Sequence, residues 1–114
     1  MSRRVVITGI GLVSALGIGT RETWAGLLAG QSGVGRVTRF DVTAYAAQIA
    51  AEVKGFNALD WIEKKEVKKM DLFIQYAIAA AQFAMDDSKL VVTDDNAPNI
   101  GVYIGSGIGG FITI

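Results

Sequence analysis

The 114-residue chain contains no cysteine and no histidine. Without cysteine it can form neither a disulfide nor a thiolate metal site. Without histidine it lacks the commonest general base and metal ligand of proteins. We therefore do not expect the chain alone to be a complete enzyme, and we expect it to bind no metal and no cofactor.

Charged residues are also scarce, at 19% of the chain against 51% hydrophobic residues. Globular proteins usually contain about 25% charged residues. A domain of this size has a large surface for its volume and normally needs more charge to cover it. The excess of apolar sequence predicts a surface that is buried against the rest of a longer chain, a second subunit, or both.

The charges that are present sum to a net charge of zero. This balance argues against a general nucleic-acid-binding protein. The N-terminal sequence Met1-Ser2-Arg3-Arg4 precedes a short apolar run that is broken by glycines, which is not the pattern of a signal peptide. We expect a cytoplasmic protein that does not insert into a membrane.

Alternating strand and helix signals predict an α/β layered fold within a single domain. The segments Val5–Thr8 and Ile100–Ile104 are short β-branched runs followed by glycines, a pattern typical of buried strands. A third short strand is expected at Gln48–Val53. The segment from Arg36 to Asp41 is expected to be irregular.

The first predicted helix has Thr20 as its N-cap and Gly30 as its C-cap. Its expected apolar face consists of Trp24, Leu27 and Leu28.

A second, longer helix is predicted from Asp60 to Ser88. Its part from Leu72 to Met85 is apolar on almost every face, which is typical of a helix in the core of a large protein. This part is too short to span a bilayer, for which about 20 residues are needed. We therefore expect neighbouring structure to surround it.

Glycines follow the first predicted strand in a pattern that approximates a dinucleotide-binding loop, from Gly9 through Gly11 to Ser14. Serine occupies the final small-residue position, and no acidic residue lies about 20 residues further on. The favoured interpretation is that these glycines allow close packing against a neighbouring backbone. A dinucleotide site is kept as the weaker alternative.

A second glycine cluster, residues 105–110, follows the last predicted strand. Ligands of open α/β sheets tend to bind at this end of a strand. Ile108 is the only bulky side chain of the cluster. From these residues alone Ile108 is either an ordinary buried isoleucine or a movable stopper of an apolar pocket.

Four lysines lie in the charged segment that precedes the long apolar run: Lys64, Lys65, Lys68 and Lys69. Like charges spaced four residues apart on a helix repel each other. The segment is either a solvated helix face or a surface that docks an acidic partner, for which clustered lysines would raise the association rate.

Five collinear blocks extend over essentially the whole chain, namely Val5–Gly11, Leu27–Gly33, Phe40-Asp41, Lys68–Asp71 with Gln75–Ala77, and Ile104–Gly110. In these blocks the sequence resembles the β-ketoacyl–acyl carrier protein synthases of bacterial fatty-acid synthesis. The Phe40-Asp41 and Phe73–Tyr76 segments resemble the type II elongating members more than the type I members.

This resemblance implies a thiolase-like fold of α and β layers, αβαβα, in a homodimer. It also implies a decarboxylative Claisen condensation that uses one cysteine and two histidines. In the family these residues lie downstream of the second glycine cluster. We therefore expect residues 1–114 to be a partial N-terminal ketosynthase domain whose catalytic residues lie outside it.

The resemblance also assigns roles to residues of this chain. Ile108, with Gly107 and Gly109 as its flexible frame, corresponds to the gate of the acyl-chain pocket. A second group corresponds to the basic face that docks acyl carrier protein, namely Lys65, Lys68 and Lys69. At one of these positions relatives often have arginine, so Lys68 keeps the charge but loses bidentate geometry. A non-catalytic module that binds acyl carrier protein remains the alternative.

Overall fold

The computed structural model describes residues 2–110, which form two compact units. One unit contains the N-terminal residues through Gly11 and the segment from Ala58 onwards, and the other runs from Leu12 to Asn57. The helices and strands are β1 (Val13–Ser14), β2 (Gly17–Ile18), α1 (Thr20–Leu28), β3 (Val34–Arg36), β4 (Ile49–Ala51), α2 (Lys64–Val67) and α3 (Leu72–Ser88), with 3-10 turns at Ala58–Asp60 and Ala97–Asn99.

The unit from Leu12 to Asn57 begins with an antiparallel hairpin of β1 and β2, in which Val13 pairs with Ile18 and Ser14 with Gly17. Hydroxyl groups attach α1 to this hairpin. The Thr23 hydroxyl donates to the Gly17 carbonyl at 3.3 Å and lies 2.9 Å from the Ser14 hydroxyl. Because Thr23 is buried, these bonds fix the helix from its inner face.

Helix α1 starts one residue away from the predicted cap. Gly19, and not Thr20, is its N-cap residue, and no side chain caps the helix. Gly19 has φ 123°, a conformation that side-chain-bearing residues rarely adopt. The prediction of Thr20 as the cap is wrong because the backbone enters the helix through a conformation that favours glycine.

The C-cap of α1 is Ala29, one residue before the predicted Gly30. Gly30 follows in the left-handed region with φ 64°. Its N–H donates to the Leu27 carbonyl, and the next N–H donates to the Gly26 carbonyl. This pair of bonds forms a Schellman motif, which explains why the helix ends before a glycine.

The predicted apolar face of α1 is largely exposed among the described residues, so a covering surface for it stays a prediction. Trp24, Leu27 and Leu28 are 58%, 54% and 72% exposed, whereas the buried residues of the helix are Thr23 and Gly26. The helix packs on the β1–β2 hairpin through its small residues, because only these allow the two backbones to approach closely.

The second sheet of this unit pairs β3 with β4 in antiparallel register, with Val34 opposite Ala51 and Arg36 opposite Ile49. Strand β4 confirms a strand within the predicted segment Gln48–Val53, although it is shorter. Strand β3 was not predicted, because its sequence has no strand periodicity and its identity as a strand depends on pairing with β4.

In the other unit, the two segments expected to be buried strands are neither paired nor buried. Residues Val5–Thr8 and Ile100–Ile104 form no regular strand within the described part of the chain. The side chains of Val5, Ile7 and Tyr103 are 90%, 82% and 98% exposed. A strand needs a neighbour to accept and donate its main-chain hydrogen bonds, and no described residue provides one to these segments.

The long predicted helix is interrupted. The expected continuous helix from Asp60 to Ser88 consists of a 3-10 turn, the one-turn helix α2 and the longer α3. The chain leaves helical geometry at Asp71, the extended N-cap residue of α3, with ψ 160°. Helix α3 ends where predicted, at Ser88, followed by Lys89 in the left-handed conformation.

The described residues do not cover helix α3 on all sides, although its sequence predicts a core helix that neighbouring structure surrounds. Its buried residues are Gln75 and Ala79, while Leu72 and Phe73 are 39% and 36% exposed. Among the described residues, the close contact of α3 is made on its alanine-rich side.

Backbone packing on this alanine-rich side fixes the N-terminal segment. A Cβ atom on Gly9 would overlap the Ala84 carbonyl oxygen, and a Cβ atom on Gly11 would overlap the Ala80 carbonyl oxygen. Glycine is therefore required at both positions, because the two backbones lie closer than any side chain would allow. The prediction that these glycines allow close backbone packing is confirmed.

We predict that Gly11→Ala destabilises the protein by about 1–3 kcal/mol, the usual effect of overpacking. The clash is with backbone, which cannot rotate away as a side chain can. Urea-induced unfolding measures the change.

The matched control for this substitution is Gly35→Ala. The nearest atom to a Cβ at Gly35 is the Lys54 Nζ, 4.0 Å away. Since alanine loses less backbone entropy on folding, this control should be neutral or slightly stabilising. Equal destabilisation by the two substitutions would contradict the packing argument.

Candidate functional site

The lysines predicted to dock a partner lie on one exposed turn, which we call the lysine turn (residues 63–70). It consists of α2 and the residues on either side of it. Four lysines and two glutamates give residues 63–69 a net charge of +2. Lys65, Lys68 and Lys69 are all exposed, as a docking surface requires.

Two of the three lysines are paired with neighbouring glutamates. The Lys65 Nζ lies 2.9 Å from Glu63, and the Lys69 Nζ lies 2.9 Å from Glu66. Exposed pairs of this kind contribute little to stability and exchange readily for other partners. Lys68 makes no ion pair with any described residue, so its charge is free to meet an incoming anion.

A buried amide holds the end of the lysine turn. Gln75, only 8% exposed, donates from Nε2 to the Met70 carbonyl at 2.8 Å and to the Val67 carbonyl at 3.4 Å. In the sequence Gln75 is one of two side-chain amides, with Gln82, within the apolar run from Leu72 to Met85. The sequence alone did not indicate a role for it.

An aromatic contact holds the segment that precedes the lysine turn. The rings of Trp61 and Phe83 meet edge to face with their centroids 5.7 Å apart. This contact joins the segment before α2 to the middle of α3. The lysine turn is thus attached to α3 both before and after its four helical residues.

The second glycine cluster forms an exposed loop, which we call the glycine loop (residues 105–110). Ile108 is 72% exposed, which differs from the expectation of an ordinary buried isoleucine. The Ser106 hydroxyl accepts a hydrogen bond from the Gly109 N–H at 3.1 Å. Gly107 has no atom within 4 Å of the position of a Cβ, so this part of the loop is unrestrained by packing.

The end of the glycine loop lies against the start of α3. Gly109 has φ 76°, and a Cβ there would lie 3.5 Å from the Phe73 ring. A Cβ on Gly110 would overlap the Asp71 carboxylate. The structure therefore brings the glycine loop and the lysine turn, two sites that the sequence predicted separately, to the same end of one helix.

An apolar groove beside α3 can be compared with the position of the predicted gate. This groove of about 330 Å³ is lined by Gly11, Tyr103, Ile104 and alanines of α3. Ile108 does not line it, so gating by Ile108 stays a prediction.

The dinucleotide alternative is opposed by the surroundings of the first glycines. The side of Gly9 and Gly11 that would face a ligand is occupied by the backbone of α3. The Ile10 N–H between them donates to the Asp87 carboxylate at 2.9 Å. A carboxylate at this N–H repels the pyrophosphate that a dinucleotide loop binds with its backbone donors.

The Phe40-Asp41 segment, part of the family resemblance, forms a local turn in the other unit. The hydroxyl of Thr43 and then its backbone N–H donate to Asp41, and these bonds hold the pKa of that carboxyl below its usual value. The Phe40 ring meets Tyr45 edge to face at 6.1 Å. These contacts give the segment a structural role within its unit.

No group of three potential metal-ligating side chains occurs among residues 2–110. In the same described range, no helix has the length and apolar character that a membrane crossing requires.

Comparison with known proteins decides the family. The sequence model described as "Beta-ketoacyl synthase, N-terminal domain" matches residues 2–113. The chain belongs to the β-ketoacyl synthase family. This confirms the resemblance drawn from the sequence blocks.

Relatives of this ketosynthase chain are similar over almost its whole length. It is 51% identical over 108 residues to 3-oxoacyl-[acyl-carrier-protein] synthase 2 of Vibrio cholerae, covering 95% of this chain and 26% of that protein. It is 47% identical over 112 residues to the protein of the same name from Staphylococcus aureus, covering 98% and 27%. The chain thus spans about a quarter of the length of these relatives.

The fold is that of solved ketosynthases. A structure described as the ishigamide ketosynthase/chain length factor superimposes with a TM-score of 0.73 and 43% identity, covering 84% of this chain and 23% of that one. The predicted α/β, thiolase-like fold class is therefore confirmed.

Proposed function

We propose that this chain is the N-terminal portion of a β-ketoacyl-acyl carrier protein synthase II that elongates fatty acids. The carrying observation is its similarity, over almost all of its residues, to relatives named 3-oxoacyl-[acyl-carrier-protein] synthase 2. The proposal includes a cytoplasmic location and a homodimer, as the sequence pattern and the family resemblance led us to expect. Apolar side chains are exposed in both units, and the remainder of a longer chain or a second copy would cover them.

The proposed reaction is a decarboxylative Claisen condensation. An acyl group passes from its carrier thioester to a cysteine sulfur, which releases the carrier thiol. Malonyl-carrier protein then loses CO₂, and the carbanion that remains attacks the acyl-cysteine carbonyl and expels the thiolate. Since this chain has no cysteine or histidine, we place the nucleophile and the two assisting histidines in sequence beyond these residues.

In this reaction Ile108 would gate the acyl-chain pocket, with Gly107 and Gly109 as its frame. Two observations support the assignment. Ile108 is the one bulky side chain of a glycine loop, and that loop is packed at its end and open around Gly107. A branched apolar side chain on such a frame can swing without distorting packed structure.

Lys65, Lys68 and Lys69 would dock acyl carrier protein, whose acidic helix provides the opposite charge. The support is electrostatic and geometric. The three ammonium groups are exposed on one turn, and Lys68 has no ion-pair partner among the described residues. Complementary charge raises the association rate and selects the partner.

A second candidate is a non-catalytic module that binds acyl carrier protein. The exposed lysine turn favours it. This candidate needs the docking surface but not the gate.

We expect the full-length protein to convert acyl-carrier protein and malonyl-carrier protein into a β-ketoacyl product two carbons longer, with release of CO₂. Mass spectrometry of the carrier-bound product measures the reaction. The 114-residue chain alone should give no product. Binding of carrier protein by the full-length protein without any condensation would favour the non-catalytic module.

Substitution of Ile108 by Phe should change the preference for acyl-chain length. A larger side chain at the gate admits short chains but obstructs long ones, so the ratio of kcat/KM values for long and short acyl groups should fall by at least about tenfold. Ile108→Leu, which conserves volume, serves as the control. An unchanged ratio in the Phe variant would remove the gate assignment.

Lys68→Glu should raise the KM for acyl-carrier protein by roughly tenfold, since attraction between the lysine and the acidic carrier is replaced by repulsion. Activity with acyl-pantetheine and malonyl-pantetheine, an assay without carrier protein, should be unchanged. Lys54→Glu makes the same charge change at an exposed lysine outside the lysine turn. An equal effect of both substitutions would indicate net charge alone and contradict docking at this turn.

A further inference from the structure

The amide of Gln75 is the buried polar side chain of α3. Both of its contacts are to carbonyl oxygens, at Met70 and Val67. A carbonyl oxygen can only accept, so the NH₂ group of the amide must face them. The two carbonyl acceptors therefore satisfy the hydrogen-bond donors of this buried amide.

These two acceptors border the lysines of the turn. Val67 is the last residue of α2, and Met70 is the last residue before the N-cap of α3. Lys68 and Lys69 lie between them. One side chain thus fixes the backbone at both ends of the dipeptide that carries two of the three proposed docking charges.

The lysine turn has little stability of its own. Helix α2 is only four residues long, and isolated helices shorter than about 12–15 residues are marginal in water. Its like-charged lysines repel each other at four-residue spacing. Its ion pairs are exposed and weak. The conformation of the turn therefore depends on its attachment to α3.

We infer that Gln75 is a positioning residue for carrier-protein docking, acting through the backbone of residues 67–70 without touching the partner. This inference rests on the docking role proposed for the lysines. Holding this backbone requires a side chain that has a hydrogen-bond donor and the length of glutamine. Leucine has no donor, asparagine is one carbon shorter, and a glutamate carboxylate would face two carbonyl oxygens that repel it.

In the full-length protein, Gln75→Leu should raise the KM for acyl-carrier protein by about five- to tenfold, the effect of one or two lost hydrogen bonds. The KM for acyl-pantetheine and the kcat with either substrate should be unchanged. Amide hydrogen exchange should accelerate at Lys68 and Lys69. Gln75→Asn should give a change in the same direction.

The matched control is Gln82→Leu on the same helix. Gln82 is exposed, and its amide bonds Asp86 at 2.8 Å, away from the lysine turn. This variant should keep the wild-type KM for both substrates. Measuring Lys68→Glu in the same series separates the two proposals.

Three outcomes would overturn the inference. If Lys68→Glu raises the carrier KM but both Gln75 variants leave it unchanged, only the positioning role fails. If the Gln75 variants lose activity equally with carrier and pantetheine substrates, the amide serves general stability and not docking. If Lys68→Glu has no effect, the docking proposal fails and the positioning role with it.

Discussion

The close approach of the N-terminal glycines to α3 is the constraint on which the arrangement of this unit depends. Gly9 and Gly11 lie against the carbonyl groups of Ala84 and Ala80 at separations that admit no side chain. The absence of side chains brings two backbones together and leaves the remaining faces of α3 available. The N-terminal segment, the lysine turn and the glycine loop can therefore all pack against helix α3.

The start of this helix carries both features that the family resemblance connects with function. Gln75, one turn into the helix, holds the lysine turn, while Asp71 and Phe73 meet the end of the glycine loop. A proposed dock for the carrier and a proposed gate for its acyl chain thus share one short stretch of structure. Displacing the start of α3 would alter both, whereas a change at Phe83, in the middle of the helix, would reach the lysine turn through Trp61 but not the glycine loop.

The sequence predicted the parts of the fold that local chemistry determines. The end of α3 at Ser88, the helix-ending glycine after α1 and the packing of the first glycines are of this kind. The family and the fold class were also predicted, because five collinear blocks are specific even where single elements are not. By contrast, the strands expected at Val5–Thr8 and Ile100–Ile104 failed because pairing is a tertiary property, and the apolar pattern does not contain the partner. The break before α3 was missed because residue spacing signals neither the extended backbone of Asp71 nor the bonds from the buried Gln75 amide to the carbonyls that precede it.

The two predicted site groups differ in what they require from the rest of a protein. Docking needs exposed charge and a backbone held in place, and both are present among the described residues, at Lys68 and Gln75. Gating needs a cavity behind the gate, and the groove beside Gly11 does not include Ile108. The described residues alone therefore determine the position of a charge on this surface, whereas the role of Ile108 depends on which side chains would face it in the proposed full-length synthase. For that reason the described residues support docking by the lysine turn more strongly than gating by the glycine loop, although the family resemblance implies both roles.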